Sequence, residues 1–83
     1  MEPEVALGEV LRALRKRKGL SQEALAHAAE MERNYVSLIE LGRHSASIRI
    51  LFKLCAVLEL RPSELFVLVE QRMAGHRKAA DDR

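Results

Sequence analysis

The chain has a single cysteine, no tryptophan, one tyrosine and two phenylalanines among 83 residues. One cysteine excludes an internal disulfide and fits a reducing compartment. So little aromatic mass leaves the core to aliphatic side chains. Helix breakers are scarce as well, with four glycines and two prolines, and the many Ala, Leu, Glu, Arg and Lys residues favour helix. No apolar run reaches the ~20 residues that a membrane-spanning helix needs. The acidic opening MEPEVALGEV is unlike a secretion signal, so a soluble, cytoplasmic protein with no membrane partner is expected. Charge of one sign is also nearly lacking: 14 basic against 12 acidic residues leave +2. That value permits a nucleic-acid partner without showing one, and the placement of the basic residues decides the matter.

Catalytic constellations are missing too. The acids are dispersed over charged faces, with no Ser-His-Asp arrangement, glycine-rich phosphate loop or paired-carboxylate pocket, and an enzyme of this size would need one. His27, His44 and His76 share no metal-like spacing with Cys55, so neither a metal nor a cofactor is expected. Cys55 falls on an apolar stripe and reads as a buried, inert thiol.

What is present is helical periodicity. The length allows one core, and the pattern predicts five short helices. Leu7, Val10, Leu11 and Leu14 follow the i, i+3, i+4, i+7 rule over about Pro3 to Lys18. Arg12, Arg15, Lys16, Arg17 and Lys18 crowd the C-terminal end, where cations suit the helix dipole, and Gly19 supplies a left-handed stop. Ser21 caps a second helix that ends near Ala29, with Leu25, Ala26, Ala28 and Ala29 as a small-residue face. A third runs from Glu32 or Arg33 to about Leu41, stopped by Gly42; Val36 and Ile39 face inward and Arg33, Asn34, Ser37 and Leu38 outward. Ser47 caps a fourth, whose inner stripe is Ile48, Leu51, Leu54, Cys55 and Leu58. Pro62 and Glu64 open a fifth, expected to end near Met73, before Gly75. The expected domain is 1–75, with a polar, disordered tail at 76–83.

Helices two and three, separated by Glu30-Met31-Glu32, have the spacing of a helix-turn-helix. Such a unit exposes polar side chains at the start of its second helix, to read base edges, and buries the other face. Gly19-Leu20-Ser21-Gln22-Glu23-Ala24-Leu25-Ala26 and Tyr35-Val36-Ser37-Leu38-Ile39-Glu40-Leu41-Gly42-Arg43, with Ser47-Ile48, Leu51, Leu54 and Leu60-Arg61-Pro62-Ser63-Glu64-Leu65-Phe66, resemble the phage-repressor family (Cro/repressor, xenobiotic-response-element type) over residues 7 to 66. The short length resembles that of restriction–modification controller proteins, and of many plasmid and phage regulators. The resemblance implies an all-α, five-helix, phage-repressor-like DNA-binding domain, acting as a transcriptional regulator and not as an enzyme. Two positions depart from the family pattern. Glu30 stands where the turn usually has Gly, which implies a left-handed backbone cost of about 1 kcal/mol or another geometry. Glu32 stands where Ser, Thr or Asp usually caps the recognition helix.

Each candidate residue has a sharp and a bland reading. Arg33 could fork onto the O6 and N7 of guanine, or hold a phosphate, or be solvated. Asn34 could pair with adenine or serve the first turn. Ser37 reaches a phosphate or a base, and Leu38 a thymine methyl or nothing. Tyr35 packs on the domain edge or donates its hydroxyl to a phosphate. The resemblance implies a phosphate contact for Gln22 at a helix N-terminus, a backbone-contacting loop at Arg43, His44 and Ser45, and an ion pair between Arg15 and Glu40. In the fifth helix, Leu65 to Val69 are all apolar, more than one buried face can use. Leu65 and Leu68 or Val69 can serve the core, leaving Phe66, Val67 and part of Val69 for a homodimer interface. Double-stranded DNA is the expected partner, read as a near-palindromic operator. The alternative is a toxin–antitoxin antitoxin on the same domain; contact with a toxin or with RNA polymerase stays open.

Overall fold

The computed structural model describes residues 1–81, with side chains as far as residue 76. Five helices follow one another, α1 (Pro3–Arg17), α2 (Gln22–Ala28), α3 (Arg33–Glu40), α4 (Ile48–Leu58) and α5 (Pro62–Asp81), and the described residues include no strand. Local chemistry sets the starts. Pro3 occupies the first turn of α1. Ser21 Oγ accepts from the Ala24 N–H at 3.0 Å, and Ser47 Oγ from the Ile50 N–H at 3.2 Å, each satisfying one of the four orphan donors of a helix N-terminus. Glu64 Oε1 accepts from the Arg61 N–H at 2.8 Å, one half of a capping box. Glu32, before α3, makes no side-chain cap.

The first four helices all stop in the same way. A residue just past the helix turns left-handed, the one after the C-cap in α1 to α3 and the C-cap itself in α4, and the next N–H reaches back to close the last turn. Leu20 N–H donates to Arg15 O, Met31 to Ala26 O, Arg43 to Leu38 O and Leu60 to Cys55 O, at 2.9–3.1 Å. The left-handed residues are Gly19, Glu30, Gly42 and Glu59. Glycine does this freely; Glu30 (φ 56°) and Glu59 (φ 59°) do not. The turn therefore keeps its left-handed geometry despite lacking glycine. Glu30→Gly is expected to stabilise the domain by up to about 1 kcal/mol, because the relief of the Cβ clash exceeds the added unfolded-state entropy. Urea unfolding would show a raised midpoint with an unchanged slope; a lowered midpoint would refute the strain. Glu59 is not a comparable site, since its carboxylate accepts from Lys18.

The core gathers side chains from every helix, with Leu11, Leu25, Val36, Ile39, Leu54, Cys55 and Leu65 almost wholly enclosed. The helix α1 packs against both α3 and α5, and α2 against α3. Gly8 permits the approach of α1 to α3: a Cβ there would lie 2.4 Å from the Ile39 carbonyl oxygen and 2.6 Å from that of Glu40. Burial pushes the Cys55 thiol pKa up, so the group stays protonated and inert.

Four expectations need correction. Ile48 is not part of the inner stripe: it is 75% exposed, because it is the first residue of α4 and stands beyond the edge of the core. Ala28 is exposed, turned about 110° at 100° per residue from the centre of the face formed by Leu25, Ala26 and Ala29. Val69 is buried, one turn beyond Leu65 on the same face, and offers no outer surface. Finally, α5 does not stop at Met73. It passes through Gly75, so the segment expected as a tail from His76 has helical backbone as far as Asp81; residues 82–83 lie outside the described residues. An internal glycine costs a helix about 1 kcal/mol, which good helix formers on both sides can offset.

Candidate nucleic-acid interface

Four residues, Ala29 to Glu32, separate α2 from α3. Met31 is half-buried in this connection and packs on the core. On α3, Val36, Ile39 and Glu40 are buried, Tyr35, Ser37 and Leu38 are half-buried, and Arg33 and Asn34 are exposed. The N-terminal end of α3 thus presents an arginine and an amide to solvent while its opposite face is fixed in the domain. Arg43, His44 and Ser45 lie exposed in the loop after α3. The His44 ring stacks on Tyr35, with centroids 6.0 Å apart and planes 13° from parallel. That contact ties the loop to α3.

Behind this surface lies the expected ion pair. Arg15 Nε donates to Glu40 Oε2 at 2.6 Å and Nη2 donates to Oε1 at 3.0 Å. Both residues are only 8% exposed. The bidentate fork matches the carboxylate, and this hydrogen bonding, opposed by burial, raises the Arg15 pKa further above its ordinary value. The third donor, Nη1, reaches the Leu20 carbonyl at 2.8 Å. Gln22 Nε2 donates to Glu40 Oε1 at 3.0 Å. One carboxylate therefore joins the end of α1, the start of α2 and the end of α3. Gln22, expected at a phosphate, uses one amide hydrogen internally and keeps a second.

The sequence did not reveal the Gln22, Leu20 and His44 contacts, because each depends on how separate segments meet. It placed Ile48 inward and overlooked Phe52, and these two with Phe66 and Val67 are exposed apolar side chains on α4 and α5. A signal for Phe52 was available: it lies about 100° from Leu51, on the outer side of the α4 stripe. No helix among the described residues is long and apolar enough to cross a membrane.

Two short helices joined at a left-handed turn, with the second anchored by a buried ion pair and polar at its free end, define a helix-turn-helix protein. Residues 6–66 match the helix-turn-helix domain family, and the chain belongs to that family. It is 41% identical over 61 residues to the HTH-type transcriptional regulator SlrR of Bacillus subtilis, covering 72% of this chain and 40% of that protein. Among solved structures, the restriction-modification controller protein C.AhdI of Aeromonas hydrophila is similar at 42% identity and TM-score 0.73, over 75% of this chain and 94% of that one. The clp gene regulator ClgR of Corynebacterium glutamicum is similar at 28% identity and TM-score 0.93, over 98% of this chain and 86% of that one.

Proposed function

We propose that this chain is a sequence-specific transcriptional regulator that binds a near-palindromic operator in double-stranded DNA as a homodimer. The observation that carries the reading is the exposure of Arg33 and Asn34 at the N-terminal end of an otherwise anchored α3. The recognition helix of such a unit enters the major groove by that end. Arg33 reads guanine, Asn34 reads a neighbouring base, Ser37 and Leu38 lie along the groove, and Gln22, Tyr35, Arg43, His44 and Ser45 hold the backbone. The test separates reading from anchoring. After selection of a binding site from random duplexes, Arg33→Ala should cost that site about 1–3 kcal/mol and relax preference at one base pair. Arg43→Ala should weaken all duplexes alike and lower the slope of log affinity against log salt by about 0.9. An unaltered site preference in Arg33→Ala would make Arg33 an anchor.

Two-fold pairing supplies the second recognition helix, about 34 Å from the first on one face of the duplex. Phe66 and Val67 remain about half exposed, and on so small a domain they are suited to a self-complementary interface, with Ile48 and Phe52 on the adjoining helix. Replacing Phe66 and Val67 together by lysine should give a folded monomer with much weaker operator binding. In sedimentation, a parent chain that stays monomeric at high concentration, yet binds an operator tightly and without cooperativity, would overturn the dimer.

A further inference from the structure

We propose that the groove between α1 and α5 is a docking site for an acidic, amphipathic helical segment of a second protein. The groove lies apart from the nucleic-acid interface. On α1, Gly8 and Arg15 face α3, whereas Val10, Ala13 and Leu14 line the cleft toward α5, where Leu68 completes an apolar floor. Helical spacing at 100° per residue puts these two sets on different flanks of α1. Arg17 and Arg72 stand at the rim. An adjoining depression, which shares Ala13 and Arg72, adds Arg12 and Lys16. Among the described residues lining the two, the one carboxylate is Glu9, whose Oε1 accepts from Arg72 Nη1 at 3.0 Å. Four cations thus border an apolar floor beside one acid, on a chain whose net charge is only +2.

The shape and chemistry select the occupant. The groove holds about 350 Å³ and is walled by two helices only. A small ligand normally has roughly 70–90% of its surface enclosed by its site, which this open cleft does not offer. A helix laid along it would seat apolar side chains at i and i+4 spacing on Val10, Ala13, Leu14 and Leu68, the usual helix-in-groove mode. Its flanking Glu or Asp side chains would meet Arg17, Arg72 and Lys16, and guanidinium forks suit carboxylates. A nucleic-acid backbone would satisfy the cations but leave the floor in water.

The test uses the full chain, isotopically labelled, and a synthetic helical peptide with leucines at i, i+4 and glutamates on both flanks. Saturable amide shifts should appear at Val10, Ala13, Leu14, Leu68 and Gln71 and leave α3 unmoved. A scrambled peptide of the same composition should bind about tenfold more weakly, as should the patterned peptide to Ala13→Glu or Arg17→Glu. Both substituted residues are exposed, and circular dichroism checks that the variants are folded. Four results would each overturn the proposal: no binding, equal binding of the scrambled peptide, shifts centred on α2 and α3, or the same groove shifts from laurate with none from the peptide.

Discussion

Arg15→Ala is expected to lower the unfolding free energy by about 3–5 kcal/mol. The change removes both guanidinium donors to the Glu40 carboxylate and leaves that group enclosed with only the Gln22 amide. It also strips the Leu20 carbonyl of its guanidinium donor. A domain of this length has roughly 4–12 kcal/mol in total, so the variant should be largely unfolded at modest urea concentration. The pair need not be a net source of stability. Replacing both partners at once, Arg15→Met with Glu40→Leu, should cost far less than the sum of the single changes, because no unpaired charge remains. Chemical denaturation of the four proteins measures the coupling. Additive single effects, within about 0.5 kcal/mol, would show that the two side chains do not depend on each other.

Gly8→Ala should destabilise by about 3 kcal/mol, against the ordinary preference for alanine, which in an exposed helix gains about 1 kcal/mol over glycine. The added methyl would sit 2.4 Å and 2.6 Å from two carbonyl oxygens at the end of α3. Those are backbone atoms, so no side-chain rotation can clear the space, and α1 and α3 must separate. Thermal unfolding distinguishes the two effects by sign: a stabilised or unchanged Gly8→Ala would mean that the helices can part at little cost.

The starts of α2 and α4 and the stops of α1 and α3 were legible because Ser21, Ser47, Gly19 and Gly42 are local signals that act within one turn. Glu59 was not, since nothing in a glutamate announces a left-handed residue; the shared stop geometry does. The end of α5 was misjudged because Gly75 resembles a stop, although helix formers on either side carry the backbone through it. The Arg15–Glu40 pair was legible by resemblance alone, as the partners are 25 positions apart. That Leu65 to Val69 could not all be buried was clear from periodicity. Which of them stay outside depends on the face α5 turns to the core, and Leu65 and Val69, one turn apart, take that face while Phe66 and Val67 do not. The role of Gly8 appears only when α3 is placed against α1.

In the proposed DNA complex, the shared Glu40 carboxylate would make α1 to α3 a stiff reading head. With α1, α2 and α3 tied to one buried group, α3 cannot tilt independently to follow an imperfect groove. Compliance must then come from outside the head. Lengthening the operator's central spacer by one base pair moves one half-site by about 3.4 Å and turns it by about 35°. In the proposed dimer, that misfit would fall on the contact between subunits and on the twist of the duplex, so tolerance to spacing would be governed by the flexibility of the spacer sequence, which the protein does not touch.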